Sequence, residues 1–512
     1  MRKKVIFKTY HQDQLSLLPP SYDDLVPEHH PVRIVNTIVD HLDISILAKS
    51  YKGGGTSSYH PRMLLKVIIY AYLRNLYSSR KIEQALRENI HFMWLSGQNT
   101  PDHNTINDFR GKRLQKHLKP IFNQVVLLLS EQGVLNLKDI YVDGTKIEAN
   151  ANRYTFVWGK RIKTNKERIK NQLKELWSYV EKVYKEEQQI PNTPDFEAID
   201  ADQVEATINH INEALKGKEV DKKVKQKLNY AQKNWANNLA KYDKQEAILK
   251  GRNSYSKTDP DATFMRMKDD HMQNGQLKPG YNLQASTNNQ YITNYTLGQT
   301  TADTTLLKDH LEDFIESYDQ TPETLTADAG YGSQENYTDL EAKQITAYVK
   351  YNYFHKELHN QEKGKINPFD PDQFYYNKES DTYYCPMGQA MSFIGSYKKK
   401  TKNNFEQTIH RYQAQNCNGC PLRGVCHKSK KERIIERNYE LIRLKAKTKT
   451  LLTSKKGIEK RKQRCWDVEA VFGNIKQNMN FKRFLLRGID KVTVEIGLIA
   501  MAHNLKKYSL AI

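Results

Sequence analysis

The order of strand-like and helical patterns between residues 137 and 349 most constrains the fold of this chain. Three strands are predicted first, interrupted by one long helical stretch, and two further strands then alternate with helices. The predicted elements are strands at 137–150, 280–287, 291–297, 324–328 and 345–349, and helices at 303–318, with Asp303 as N-cap, and from Ser333. This order predicts an α/β fold with a mixed sheet flanked by helices, as in a ribonuclease H-like core.

Composition divides the remaining residues into a helical start and two inserts. The first segment is helical and precedes the first strand, and both a helix-turn-helix and a plain helical bundle fit its pattern. The predicted domains are a helical N-terminal domain at 1–135, an α/β core at 136–160, 252–355 and 432–512, a helical, coiled-coil-like insert at 161–251 and a Cys-rich insert at 356–431.

The helical insert carries an apolar stripe at helical spacing. Such a stripe is either the buried side of a surface helix or a seam between two copies of the chain. Its members are Ile162, Ile169, Leu173, Leu176, Val180 and Val183.

The charge balance favours a polyanionic partner. Lys and Arg number 80 against 59 Asp and Glu, which gives a net charge of +21. Such an excess is typical of proteins that bind nucleic acid, and a solvated lysine-rich surface is the alternative. Arg110 and Arg113 lie in one predicted basic helix. The run from Lys455 to Arg464 lies in another, and phosphate contact and a solvated helix face are both open for this run. No bilayer-spanning or targeting segment is recognisable, so a cytoplasmic protein is expected.

Two aspartates are predicted to end strands of the same sheet. Asp143 ends the first strand and precedes Gly144, whereas Asp328 ends the fourth and is followed by Gly330. Carboxylates on adjacent strand ends can converge, and Mg²⁺ prefers such oxygen ligands. Two ions about 4 Å apart can activate an attacking oxygen and stabilise a leaving one in phosphoryl transfer. Turn capping is the alternative role, and Gly144 is expected to let the chain turn away from the metal.

A third acid is predicted on an amphipathic helix at 466–476. Glu469 and Lys476 are seven residues apart, about two turns, so Glu469 would bind metal beside a phosphate held by Lys476. Asp467 is the competing acid, about 200° away around the helix. The residues predicted to face the core are Cys465, Val468, Val471 and Ile475.

These motifs together resemble the DDE transposases of bacterial insertion sequences, most closely the IS-four-like superfamily in its eleven-eighty-two branch. The resemblance covers nearly the whole chain, through residues 143–150, 327–331 and 468–476, and also 101–110, 484–488 and 502–506. It implies a metal-binding catalytic triad of Asp143, Asp328 and Glu469, with two Mg²⁺ or Mn²⁺ ions. Many members have a tyrosine seven residues and an arginine four residues before the glutamate. Here those positions hold Lys462 and Cys465, and Arg464 is the candidate substitute for the arginine.

The resemblance implies a transposase that binds terminal inverted repeats, cuts DNA at the element ends and joins the 3′-hydroxyls to target DNA. A homodimer is expected when two ends are held together. The residues expected to contact DNA are Lys476, Arg464, Arg110 and Arg113. The alternatives are a nuclease or resolvase on the same fold that cuts without joining, and a non-catalytic DNA-binding protein derived from a transposase.

Four cysteines cluster in the second insert. Cys417 and Cys420 have the two-residue gap that lets two thiolates bind one tetrahedral ion, and Cys385 and Cys426 would complete a four-cysteine site. His427 is an alternative ligand. A structural zinc ion is therefore expected in this polar insert, with reduced thiols as the alternative.

Overall fold

A computed structural model of the chain describes residues 21–51, 57–184, 200–267, 275–364, 367–401 and 403–511. The start of the predicted N-terminal domain, residues 1–20, lies outside these ranges. The chain divides into two compact units, one comprising 1–131 and 494–512 and the other 132–493. None of the helices in the described ranges combines the length and the apolar character that a membrane span requires.

The first unit is helical in its described part. Its third helix, Pro61–Leu73, is buried on every side near its C-terminal end, where residues 67–72 are all almost fully buried. Asp102 accepts a hydrogen bond from the backbone N–H of Thr105 at 2.8 Å and so caps the helix that begins at His103. The helices are α1 Pro31–His41, α2 Ser45–Lys49, α3 Pro61–Leu73, α4 Ser79–Glu88, α5 Ile90–Ser96, α6 His103–Asp108, a π-helix Phe109–Arg113 and α7 Leu118–Glu131.

The second unit contains the strands and the remaining helices. In chain order they are β1 Asp139–Glu148, β2 Phe156–Trp158, α8 Gly159–Tyr184, α9 Ala201–Ala214, α10 Lys222–Leu249, β3 Ser254–Ser256, β4 Thr263–Arg266, β5 Leu277–Asn288, β6 Tyr291–Gly298, α11 Leu307–Tyr318, β7 Thr324–Ala327, α12 Gln334–Ala342, β8 Thr346–Val349, α13 Phe354–Glu362, β9 Tyr375–Asn377, β10 Thr382–Tyr384, β11 Ala390–Lys400, β12 Glu406–Ala414, β13 Ile434–Arg437, α14 Tyr439–Thr453, α15 Lys455–Arg464, a π-helix Cys465–Glu469, α16 Ala470–Gly473, a π-helix Asn474–Asn478 and α17 Ile489–Ser509, whose residues from Val494 belong to the first unit.

The largest sheet of this unit has β1 at its centre. β5 pairs antiparallel with β1 on one side and β7 pairs parallel with it on the other, followed by β8 in parallel. β4 and β6 both pair with β5, and β6 follows it through a tight turn in which Asn289 and Gln290 have φ angles of 51° and 63°. Helices α11, α12, α14 and α15 pack on these strands. This mixed sheet flanked by helices is consistent with a ribonuclease H-like core.

The helical insert is a bundle of three helices with its own core. Leu173 and Trp177 of α8 pack with Ile208 of α9 and with Trp235 and Leu239 of α10. The apolar stripe is therefore buried within the insert, because α9 and α10 cover it. These side chains therefore form the buried side of the helix, and they do not form a seam between two copies of the chain.

The Cys-rich insert forms a five-stranded antiparallel sheet in the order β13-β12-β11-β10-β9. Its core includes Tyr383, Met391, Tyr412 and Ile435. The insert was expected to be polar, but aromatic residues spaced along its short strands gather into one apolar cluster. β13 lies in the segment from 432 that was assigned to the core, but its residues pair with β12 and complete this sheet.

Candidate active site

Asp143 lies in the middle of a strand rather than at its end. β1 continues to Glu148, and Asp143 and Gly144 pair with Ala285 and Gln284 of β5. The prediction that the chain turns at Gly144 is therefore wrong. A Cβ atom at this position would lie 2.6 Å from Gln284 Nε2 and 2.8 Å from Asp303 Oδ1, so a larger residue would have to displace the polar groups that pack against the strand.

Asp328 directly follows β7, as expected. The last parallel pair joins Val142 of β1 to Ala327 of β7, so Asp143 and Asp328 occupy the next position on two neighbouring strands. The Lys350 ammonium lies 3.0 Å from Asp328 Oδ1. Burial alone would raise the pKa of Asp328, but the Lys350 hydrogen bond, the backbone N–H of Ala329 and the Arg464 charge together lower it. Asp328 is therefore held as a carboxylate.

One guanidinium joins all three predicted acids. Arg464 lies 2.8 Å from Glu469 Oε1, 3.5 Å from Asp328 Oδ2 and 3.6 Å from Asp143 Oδ2. Its side chain is 4% exposed, and Asp143 is 7% exposed. The structure thus brings the predicted triad together around a buried cation, although the three acids lie up to 326 positions apart in the chain, from 143 to 469.

A π-helix explains how Arg464 reaches Glu469 across five residues. In an α-helix the side chain four residues earlier lies on the same face, whereas residues Cys465–Glu469 form a π-helix with hydrogen bonds five residues apart. The wider turn accommodates one additional residue, and Arg464 therefore occupies the place that an arginine four residues before the glutamate would have in a regular helix. π-helical turns are frequent at functional sites.

The three carboxylates provide the oxygen ligands that Mg²⁺ and Mn²⁺ prefer. Across the described ranges, however, no three His, Cys, Asp or Glu side chains lie close enough together to hold a metal ion. For the acids the physical reason is the guanidinium of Arg464, which spaces their oxygens around a planar group larger than a metal ion. The chemistry of the donor set fits a divalent cation, and Arg464 is a resident positive charge at the same point.

Asp303 is a polar residue beside this site whose position the sequence pattern did not reveal. It was expected to cap a helix, but a short 3₁₀ turn begins at Asp303 and its side chain caps nothing. Instead, Asp303 Oδ1 accepts hydrogen bonds from Asn282 Nδ2 at 2.6 Å and from Gln284 Nε2 at 3.2 Å. The available signal was the alternation of Asn282, Gln284 and Ser286 along β5, since a strand with a fully buried polar face indicates a site.

Two segments of the chain match family models. Residues 20–112 match the Transposase domain (DUF772), and residues 384–509 match the Transposase DDE domain. These two matches support a DDE-type transposase of an insertion sequence. Neither match distinguishes its branch, and no curated protein and no solved structure matches the chain. The matched DDE segment contains Glu469 and Lys476, whereas Asp143 and Asp328 lie before it.

The competing acid of this transposase, Asp467, lies in a different environment. It is fully buried, and its Oδ1 accepts a hydrogen bond from the backbone N–H of Gln290 in the turn between β5 and β6. Burial raises the pKa of Asp467. Asp467 therefore anchors the hairpin turn and faces away from the three acids. The expected inward positions of Val468, Val471 and Ile475 are confirmed by their burial.

The residues expected to contact DNA have different surroundings. Arg110 is 3% exposed and donates to Tyr72 Oη at 3.0 Å and to the Tyr77 carbonyl at 2.6 Å, so it ties together parts of its own unit. Arg113 is exposed, although it also donates to the Ser50 carbonyl at 2.7 Å. Lys476 is 8% exposed. Of these three side chains, Arg113 is the exposed one.

Four of the five cysteines line one small cavity. Its volume is about 30 Å³, and Cys385, Cys417, Cys420, Cys426 and His427 all border it. The Arg433 backbone N–H and guanidinium donate to Cys417 Sγ at 3.4 Å and to Cys426 Sγ at 2.8 Å. Because these side chains do not gather within metal-binding distance, the zinc prediction is not supported.

Cys465, the fifth cysteine, is exposed, so its prediction as a core residue is wrong. It lies on the outer side of the π-helix.

Proposed function

We propose that this transposase binds the terminal inverted repeats of its element, cuts DNA at both ends and joins the 3′-hydroxyls to target DNA. The observation that carries the proposal is the meeting of Asp143, Asp328 and Glu469 around Arg464. These acids come from the centre of the sheet, from the end of its neighbouring strand and from a helix packed on both, within a chain that matches transposase domains.

The three carboxylates would hold two Mg²⁺ ions, with Mn²⁺ as a substitute. When bound, one ion would activate the attacking oxygen and the other would stabilise the leaving oxygen in phosphoryl transfer. The protein contributes the fixed positions of the acids and their ionised state. Lys350 keeps Asp328 ionised, and Arg464 neutralises part of the carboxylate charge until a cation arrives.

DNA would approach along the helix that carries the site. Lys455, Lys456 and Lys462 of α15 are exposed, whereas Lys460 pairs with Asp139 at 2.7 Å. Exposed lysines beside the acids can bind phosphates on either side of the cleaved bond. A homodimer would hold two element ends, and a cytoplasmic, nucleoid-associated location follows from such a substrate.

Substitution of the acids tests the site. Asp143→Ala and Glu469→Gln should each reduce Mg²⁺-dependent cleavage of element ends more than about 100-fold, because even residues behind metal ligands contribute 10–100-fold. Asp467→Asn is the matched control, since this acid lies two residues from Glu469 and outside the triad. End cleavage that survives both triad substitutions would show that the site is wrongly assigned.

A strand-transfer assay separates the proposed function from the two alternatives. Pre-cut element ends with free 3′-hydroxyls are incubated with supercoiled target DNA and Mg²⁺. Joined products are expected from a transposase, cutting without joining would indicate a nuclease or resolvase, and end binding without either reaction would indicate a non-catalytic DNA-binding protein.

A further inference from the structure

We propose, on the basis of the function proposed above, that Asp303 is a fourth carboxylate of the active site and binds the same divalent cations as Asp143 and Asp328. The geometry that points to this role is the position of its side chain between the backbone segments that follow the two catalytic aspartates. The sequence pattern had assigned Asp303 only to helix capping.

The Asp303 carboxylate lies against both glycines that follow the triad aspartates. A Cβ atom on Gly144 would be 2.8 Å from Asp303 Oδ1, and one on Gly330 would be 3.8 Å from Asp303 Oδ2. Thr304 Oγ1 also donates to the Gly330 carbonyl at 2.6 Å, which fixes the two segments to each other. Asp303 is therefore held at the edge of the same carboxylate group rather than elsewhere on the surface.

Buried amides fix one oxygen of this carboxylate and leave the other available. Asn282 and Gln284 are both fully buried, and both donate to Oδ1. Tyr331 Oη in turn donates to Gln284 Oε1, which orients the amide. Within the described residues no group donates to Oδ2. A carboxylate that is oriented through one oxygen, while the other lies beside Gly330 and has no donor among those residues, has the arrangement of a supported metal ligand.

The pKa of Tyr331 responds to the charge of Asp303 as well as to the charges of two triad aspartates. Burial is the main reason that the pKa of this phenol is raised, and the charges of Asp143, Asp303 and Asp328 raise it further. The buried Arg464 guanidinium provides the opposing charge. Three triad carboxylates carry three negative charges, whereas two divalent ions and Arg464 together carry five positive charges, so a further carboxylate at this point would reduce the excess positive charge.

The test measures Mn²⁺ binding in the full-length protein by electron paramagnetic resonance of the free ion. Asp303→Asn keeps an oxygen that accepts from Asn282 and Gln284 but removes the charge. It should weaken Mn²⁺ binding at least about tenfold, or remove one bound ion, while the unfolding temperature in EDTA is unchanged. Asp309→Asn, exposed in the first turn of α11, is the matched control and should bind Mn²⁺ as the unsubstituted chain does.

Asp143→Asn distinguishes a failure of the Asp303 proposal from a failure of the triad assignment. If Asp143→Asn loses Mn²⁺ and Asp303→Asn does not, Asp303 is no ligand and the triad stands. If neither substitution changes Mn²⁺ binding, the triad assignment itself fails. Should Asp303→Asn not fold, Asp303→Glu and Asp303→Gln provide a pair of equal size, of which only the charged one is expected to retain the ion.

Discussion

Arg464 is the residue on which the arrangement of the acids depends. Its buried guanidinium contacts three carboxylates that approach from different elements. Like charges held this close repel one another, and each disfavours the ionised form of the others. A resident arginine therefore stabilises the protein before metal arrives, and it competes with the metal for the same oxygens.

Removal of this cation should make stability depend on metal. Arg464→Gln is expected to lower the free energy of unfolding in EDTA by about 1–3 kcal/mol, less than for a fully buried pair because Asp328 and Glu469 are about half exposed. Mg²⁺ should restore more stability to Arg464→Gln than to the unsubstituted chain. Thermal unfolding with and without Mg²⁺ measures this, with exposed Lys462→Gln as the control. Equal stability of Arg464→Gln and the unsubstituted chain in EDTA would contradict the role.

The environment of Asp467 predicts that the stability of the protein depends on pH. Burial raises its pKa, so the folded state binds a proton more readily than the unfolded state does. The stability gained from protonation is present at low pH and is lost as the pH rises through the folded-state pKa. Asp467→Asn should therefore be more stable than the unsubstituted chain at neutral pH, with a difference that shrinks toward pH 4.

Unfolding curves of both proteins across this pH range check the prediction. Asp467→Ala provides the contrast, because it leaves the Gln290 N–H without its acceptor and should cost about 1–3 kcal/mol. A stability difference between Asp467→Asn and the unsubstituted chain that does not vary with pH would rule out the titration.

At the scale of elements, the π-helix before Glu469 sets the register of the catalytic helix. Trp466 lies within it, and its side chain is 73% exposed. Deletion of Trp466 should convert the wide turn into an α-helical one and keep Arg464 and Glu469 on one face. Deletion of exposed Glu459 in α15 should instead rotate the preceding turn by about 100° relative to the site.

Mn²⁺ binding and thermal unfolding compare the two deletions. The Trp466 deletion is expected to retain both properties better than the Glu459 deletion. An equal loss of Mn²⁺ binding and thermal stability in the two deletions would show that the additional residue is required at its native position. A motif search with a fixed four-residue gap between arginine and glutamate would overlook this chain, because Arg464 contacts Glu469 across a gap of five residues.

The order of elements could be predicted from periodicity, whereas the contacts that build the site could not. Alternating apolar residues marked β5 and β6, and apolar residues before an acid marked β7, because strand burial leaves a local pattern. The role of Gly144 depends on side chains of β5 and of the turn at Asp303, which are distant in the chain. The spacing of the cysteines predicted zinc, but residue spacing does not report whether side chains meet.

At the scale of the whole molecule, the helical insert is attached by a narrow base. β2 pairs antiparallel with β3, and Gly159 N donates to the Asn253 carbonyl at 2.9 Å. A small apolar cluster of Val157, Ile162, Leu249 and Tyr255 lies at this base, apart from the core of the bundle. The two parts therefore have separate cores, and the insert should be removable.

Replacement of residues 164–247 by a short Gly/Ser linker should leave the catalytic core folded. Ile162 and Leu249 remain, and Lys166 and Asp243, which pair at 2.6 Å, show that the helices run side by side where they are cut. Mn²⁺ affinity is expected to stay within about twofold, since the acids lie in other elements. A loss of Mn²⁺ binding would mean that the bundle supports the site. Sedimentation of the same protein reports whether the bundle contributes to self-association.

The paired strands at the base have a consequence for what this position can carry. Because the separation of the two attachment points is set by β2 and β3, any polypeptide whose own ends lie close together satisfies the same condition. This position should therefore accept inserted domains of different sizes, while β2 and β3 remain unchanged. A fluorescent protein placed there would travel with the transposase to the element ends and make their meeting visible.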